Sequence, residues 1–219
     1  LFVCSFRCAE ETSDGRMLLN SFNPYLYFPE TFIQLNSQPI AEAAILYDGM
    51  GELNGSHYTN YPPLNQFCFF IAALFASKSI FGSIIVLRVL IIVADIGILY
   101  FGKKLLERLN LPIRNIFWYL LNPFIIIEMT GNLHFEPVML FFLVWALYKL
   151  HQKQWILAAI LISCSVSVKL IPLLFLPLFF QWFINQDNNW TKTKNFEGRK
   201  EFFLSKFSLF KIAKLSLFY

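Results

Sequence analysis

The sequence predicts an all-α fold, a multi-pass transmembrane helical bundle with an extracytoplasmic N-terminal loop region, on three observations. Apolar residues fill 57% of 219 positions and charged residues only 15%, too apolar a mixture for a soluble domain of this size. The apolar positions collect in runs that approach the roughly 20 residues a membrane-crossing helix needs. Trp118, Tyr148, Trp155 and Trp182 stand at the ends of those runs, where amphipathic rings favour the headgroup layer.

Residues 1–61 are mixed in character, with Asn23-Pro24, Asp48-Gly49 and Asn54-Gly55 as turn or hairpin signals, and read as a solvent-side loop region. Leu1 is not an initiator Met and no signal peptide is recognisable, so the chain reads as a fragment of a longer protein. Residues 62–184 read as the membrane region, with about five spans. It opens with a short apolar run near 62–77 behind Pro62-Pro63, better suited to an interfacial or re-entrant helix than to a crossing. Ile80 to Phe101 is long enough to cross. It carries Arg88 and Asp95 on nearly one helical face, either paired with each other or contacting neighbouring helices.

Lys103, Lys104, Arg108 and Arg114 form a basic loop, which marks the cytoplasmic side. From that anchor, a span at about 115–128 runs outward and the Glu128–Glu136 loop is extracytoplasmic. Residues 137–150 then return to a second basic loop at Lys149–Lys153. The stretch 155–184 reads as two short helices meeting at Lys169 on the outer side. The basic tail 185–219, with Lys192, Lys194, Arg199, Lys200, Lys206, Lys211 and Lys214, falls on the cytoplasmic side. The net charge of +4 is thus a topology signal, and the basic residues do not form the continuous surface that nucleic acid requires. Walker, GxGxxG, HExxH, GxSxG and CxxC patterns are all absent, which argues against nucleotide-dependent, zincin or serine-hydrolase chemistry.

Ionisable groups at a membrane boundary are unfavourable unless they do something, so the outer face is where chemistry is expected. Asp14-Gly15-Arg16 places a carboxylate, able to take a proton or hold a cation, beside a guanidinium suited to a phosphate; a surface Asp-Gly turn is the plainer reading. Asn60-Tyr61-Pro62-Pro63 is a rigid helix entry with polar groups at its start. In Glu128-Met-Thr-Gly-Asn132-Leu-His134-Phe-Glu136, a carboxylate can serve as base or hydroxyl acceptor, Asn132 can bond a hydroxyl and His134 can bond a phosphate or move a proton. The alternative is a solvated loop. Lys169, flanked by apolar residues, needs a counter-charge from Glu128, Glu136 or an anionic ligand such as a lipid phosphate.

Taken in order, Asp14-Gly-Arg with Asn23-Pro-Tyr, Tyr61-Pro-Pro-Leu-Asn-Gln66, Asn122-Pro123, Glu128, Gly131-Asn-Leu-His-Phe-Glu136-Pro and Ser167-Val-Lys169-Leu-Ile-Pro172 resemble bacterial mannosyltransferase-like membrane proteins of the GT-C glycosyltransferase superfamily. The resemblance spans about residues 13–184. It implies an enzyme that moves a mannose-like sugar from a polyprenyl-phosphate donor to a lipid or glycan acceptor outside the cytoplasm. It casts Asp14, Glu128 and His134 as catalytic, and Arg16, Tyr61, Asn132, Glu136 and Lys169 as donor-phosphate or substrate contacts. No metal ligand is assigned, and the chemistry is expected to run with or without Mg²⁺ or Mn²⁺. Leu1 to Ser13 departs from the family pattern, which has a helix and an acidic pair before the position of Asp14; Glu10 and Glu11 are poor substitutes on sequence grounds. The rival readings are a transporter or lipid flippase using Arg88, Asp95 and Lys169, and an inactive fragment of the enzyme.

Overall fold

The computed structural model describes residues 6–34, 39–76 and 78–179, and among them every regular element is helical. In order these are α1 (Phe6–Leu19), α2 (Glu30–Gln34), α3 (Ala43–Gly55), α4 (Pro63–Ala76) and α5 (Ile80–Arg108). A 3₁₀ turn at Ile113–Ile116, α6 (Phe117–Leu120) and a π-helix at Ile125–Gly131 follow. The chain then enters α7 (Glu136–His151), α8 (Trp155–Val166) and a second 3₁₀ turn at Ile171–Phe175.

The N-terminal region is therefore helical where a turn-rich loop is expected. α1 is polar along its length yet buries Glu11, Thr12, Ser13, Asp14, Arg16 and Met17. Asp14-Gly15 is not a surface turn: a Cβ on Gly15 would meet the Phe69 carbonyl oxygen at 2.3 Å, so the missing side chain lets α1 lie directly on α4. Asp48-Gly49 and Asn54-Gly55 fall inside α3, whose one break is at Gly51 (φ 77°), a backbone setting that favours glycine.

Pro62-Pro63 opens α4, as proline at a helix's first turn allows. At 14 residues, or about 21 Å, α4 is too short to cross a bilayer. α5 is different. Ser79 caps its start by accepting from the Gly82 amide at 3.1 Å, and its 29 residues are long and apolar enough to cross. Leu87, Ile91, Ala94 and Ile98 face the core, while Ile85, Val89, Ile92, Val93 and Ile96 are exposed. A helix apolar all round suits lipid on its outer side. It runs on through Lys103, Lys104 and Arg108, so the first basic loop is shorter than expected and turns at Asn110 in the left-handed region (φ 55°).

The span expected at 115–128 is not one helix. Asn122-Pro123 interrupts it, because proline lacks an amide donor and disfavours α geometry before it. Beyond it the π-helix meets α7 at 107°. Among the described residues one helix, or two if that bent pair is a single broken span, has membrane length, in place of the five spans expected.

α5 and α7 run in the same direction. The Phe141 ring lies against Gly97, Phe101 stacks on Trp145 at 4.9 Å, and the Arg108 guanidinium sits 5.3 Å from the Tyr148 ring. The basic residues at the end of α5 thus share one end of the bundle with Lys149 and Lys153. The 16 residues of α7, about 24 Å long, separate that end from Glu136. α8 returns, fixed by the Ser165 hydroxyl donating to the Met139 carbonyl at 2.8 Å, and delivers Lys169 beside Glu136. Apolar clusters form among α4, α5 and α7 around Phe69, Leu87 and Met139 and between α7 and α8 around Ala146 and Ala158, with smaller ones around Met17 and Phe32 and around Leu46 and Met50. The second helix of the 155–184 pair, beyond residue 179, and the basic tail lie outside the described residues.

Candidate active site

An open cavity of about 770 Å³ lies where α1, the α3–α4 connection, the start of α7 and the turn after α8 meet. Arg7, Glu10 and Glu11 of α1 line one wall, Asn60, Tyr61 and Asn65 a second, and Glu136 and Lys169 a third.

Asp14 does not line the cavity; it builds it. Its Oδ2 accepts from the Thr59 hydroxyl and the Gln66 amide, each at 2.6 Å. Those bonds tie the α3–α4 connection to α1. Thr59 in turn accepts from the Tyr61 amide at 3.3 Å, and the Tyr25 hydroxyl donates to the Tyr61 carbonyl at 2.6 Å, which sets Asn60 and Tyr61 on the cavity wall. The Tyr61 ring meets Phe69 edge-on at 5.1 Å, and Phe69 meets Phe135 at 5.4 Å, joining this wall to the start of α7. Burial raises the Asp14 carboxyl to about 6 against the pull of its two donors.

Arg16, expected at the donor phosphate, is instead a buried clasp. Its guanidinium donates to the Ala41 and Lys78 carbonyls and to Glu42 Oε2 at 3.2 Å, pinning α1 to the entry of α3 and the α4–α5 connection. Both terminal nitrogens are taken up by these partners, and Arg16 does not line the cavity. The cation that reaches the cavity from α1 is Arg7, which lies 3.3 Å from His134 Nδ1. The sequence passed over it because it stands in a polar stretch without a recognisable pattern.

His134 stands between two carboxylates, 3.7 Å from Glu128 Oε2 and 3.5 Å from Glu136 Oε2. Asn132 donates to Glu128 at 2.8 Å, so its amide braces that carboxylate. Of the counter-charges open to Lys169, Glu136 is the one used, in a direct ion pair. Lys169 remains 44% exposed at its side chain, which leaves the ammonium accessible from the cavity. The group is held by the π-helix turn: Leu133 adopts a left-handed conformation (φ 57°), and the His134 amide closes back on Met129 at 2.9 Å.

Glu10 and Glu11, set aside on sequence grounds, are the carboxylates that α1 brings to the cavity wall. Desolvation, then the nearby Asp14 charge, raises Glu10 to about 7 against the opposing pull of Arg7. Burial raises Glu11 well above the usual carboxylate range. Perturbed acids beside cations in a cleft mark a functional site. Arg88 and Asp95 lie away from this cavity. Arg88 donates to the Thr130 and Gly131 carbonyls, and Asp95 accepts from Tyr119 and Thr130, so both contact the neighbouring segment. Among the described residues no group of three or more His, Cys, Asp or Glu is arranged to hold a metal ion.

Neither curated proteins nor solved structures give a match to the chain. Residues 12–185 match the profile described as alpha-(1->6)-mannopyranosyltransferase, N-terminal domain, which takes in every segment around the cavity except the first turn and a half of α1. This chain belongs to the MptA_B mannosyltransferase family.

Proposed function

We propose that the chain is the catalytic part of an integral membrane glycosyltransferase that moves a mannose-like sugar from a polyprenyl-phosphate donor to a lipid or glycan acceptor on the extracytoplasmic face of the inner membrane. The observation that carries this reading is the gathering of Arg7, Lys169, Glu10 and Glu136 around one open cavity, with His134 against Arg7 and Glu136, at the end of the bundle opposite the basic loops. Family membership supports the reaction class, and the apolar length and exposed apolar face of α5 support a membrane setting.

In this reading Arg7 and Lys169 bind the donor phosphate and stabilise the charge it gains as the glycosidic bond breaks. Glu10 takes the proton of the acceptor hydroxyl, whose oxygen bonds to the anomeric carbon as the polyprenyl phosphate departs. Glu136 aims Lys169, and His134, braced by Glu128 and Asn132, contacts the sugar or the acceptor. Tyr61 forms the wall against which the ring rests, and Asp14 holds that wall in place.

The test is transfer of radiolabelled mannose from a polyprenyl-phosphate donor by the full-length protein in vesicles. Glu10→Gln is expected to lower the rate by about a hundredfold or more, and Lys169→Met by a similar factor. Wild-type rates in Glu10→Gln, His134→Ala and Lys169→Met alike would overturn the assignment, as would absence of transfer by the unaltered protein.

A further inference from the structure

The α1 and α4 walls of the cavity carry two buried oxygens without a hydrogen-bond partner. Glu11 is 1% exposed and its Oε2 is unpaired; Asn65 is 4% exposed and its Oδ1 is unpaired. Both residues line the cavity. Asn65 is not free to turn its amide round, because its nitrogen donates to the Val168 carbonyl at 3.1 Å and the reversed amide would set oxygen against oxygen. Buried polar atoms left unpaired are unfavourable and rare in native proteins, so each demands a partner.

The chemistry of that partner is constrained. Burial raises the Glu11 carboxyl well above the usual carboxylate range, so near neutrality this wall offers a neutral carboxyl and a neutral amide, neither of which supplies the positive charge that holds a phosphate. Among the described residues no group of three or more His, Cys, Asp or Glu is arranged around a cation here, so no cation is assigned to this wall. Neutral hydroxyl groups satisfy both oxygens, since each hydroxyl can donate to one of them.

We propose that Glu11 and Asn65 form a sugar-reading subsite, in which Glu11 Oε2 and Asn65 Oδ1 accept hydrogen bonds from hydroxyls of a neutral sugar ring. The proposal rests on the transferase reading above and adds to it the residues that tell one sugar from another. It also explains why an unpaired carboxyl persists in a helix interface: the group is kept for the ligand at the expense of the empty fold.

The probe is methyl α-D-mannopyranoside, titrated against the full-length protein in detergent by calorimetry and compared with its monodeoxy analogues. Glu11→Leu is expected to weaken binding by about tenfold or more. The same change should leave the thermal midpoint unchanged or raise it, because it removes an unpaired buried polar group. Glu11→Gln, which keeps a carbonyl oxygen, should recover part of the affinity. One deoxy analogue should bind the unaltered protein as weakly as it binds Glu11→Leu.

Equal affinity in Glu11→Leu and the unaltered protein would overturn the subsite. So would a fall in thermal midpoint that matches the loss of binding, or failure of the glycoside to bind the unaltered protein. The transfer assay separates the two ideas: transfer in which Glu11→Leu keeps the normal preference among deoxy substrates removes the subsite and leaves the transferase. Absence of transfer in the unaltered protein removes the transferase reading itself.

Discussion

Glu10 is the residue whose chemistry and stability pull in opposite directions. Burial and the Asp14 charge raise its carboxyl from 4.5 to about 7, so near neutrality it is poised between base and acid, where general-base catalysis works best. Ionisation is needed for it to take a proton, so the transfer rate should climb with pH and reach half its maximum near 7. Stability has the reverse sign. Between about 4.5 and 7 the folded state holds the proton and the unfolded chain has released it, so the contribution of Glu10 is present in full below that window and lost as pH rises through it. Asp14, raised from 3.8 to about 6, behaves alike. The thermal midpoint in detergent should therefore fall from pH 5 to pH 8, and less steeply in Glu10→Gln. A midpoint that rises over this range in both proteins would contradict the assignment. Neither acid could be placed correctly from the sequence. The pattern Asp14-Gly15-Arg16 is locally a turn signal, and only the contact of Gly15 with the Phe69 backbone makes it a helix interface. Arg16 carried the right charge for a phosphate, but its bonds to Ala41, Glu42 and Lys78 depend on segments 25 and more residues away.

At the scale of elements, the π-helix Ile125–Gly131 is the part that presents Glu128, Asn132 and His134, and it is held from outside. Its final carbonyls have no partner within the element, and Arg88 supplies donors to Thr130 and Gly131 at 3.3 and 3.0 Å, while Asp95 gathers the Tyr119 and Thr130 hydroxyls. Arg88→Leu should loosen this turn by roughly 1–3 kcal/mol, the cost of leaving such groups unpaired. Amide exchange at Leu133 and His134 should quicken by about tenfold or more, with α7 unchanged. Unaltered exchange at those two amides would show that the turn stands without the guanidinium. The sequence displayed part of this. Arg88 and Asp95 in an apolar run announced a polar contact, and Lys169 announced a carboxylate partner, because a charge in such surroundings has few alternatives. Pro62-Pro63 marked the start of α4 for a reason internal to the chain. The helix α1 gave no such sign: its polar residues are ordered by packing on α3 and α4, and tertiary contacts override a weak local preference.

The whole molecule is polarised along α5 and α7. Lys103, Lys104, Arg108, Lys149 and Lys153 collect at one end, brought together by Arg108 over Tyr148, and the cavity opens at the other, beside Glu136. In the membrane setting proposed above, this separation is what the rule that basic loops stay in the cytoplasm predicts. α5, at 29 residues or about 43 Å, exceeds the roughly 30 Å hydrocarbon core and can place its last basic turn in the headgroups with its start near the opposite interface. The apolar side chains left uncovered on α5, together with Trp118, Leu121 and Ile127 of the broken segment, are the surface that the proposed membrane setting would turn toward lipid. A direct consequence is sidedness. In full-length protein with the native cysteines replaced by alanine, Asn60→Cys on the cavity wall should react with an impermeant maleimide in intact cells. Lys153→Cys at the basic end should react only after permeabilisation. If Asn60→Cys is reached only from within, the donor could not meet the cavity from the extracytoplasmic leaflet, and if both react from outside, the two ends do not lie on opposite faces. The division of cations between the two ends would then need a cause other than the membrane.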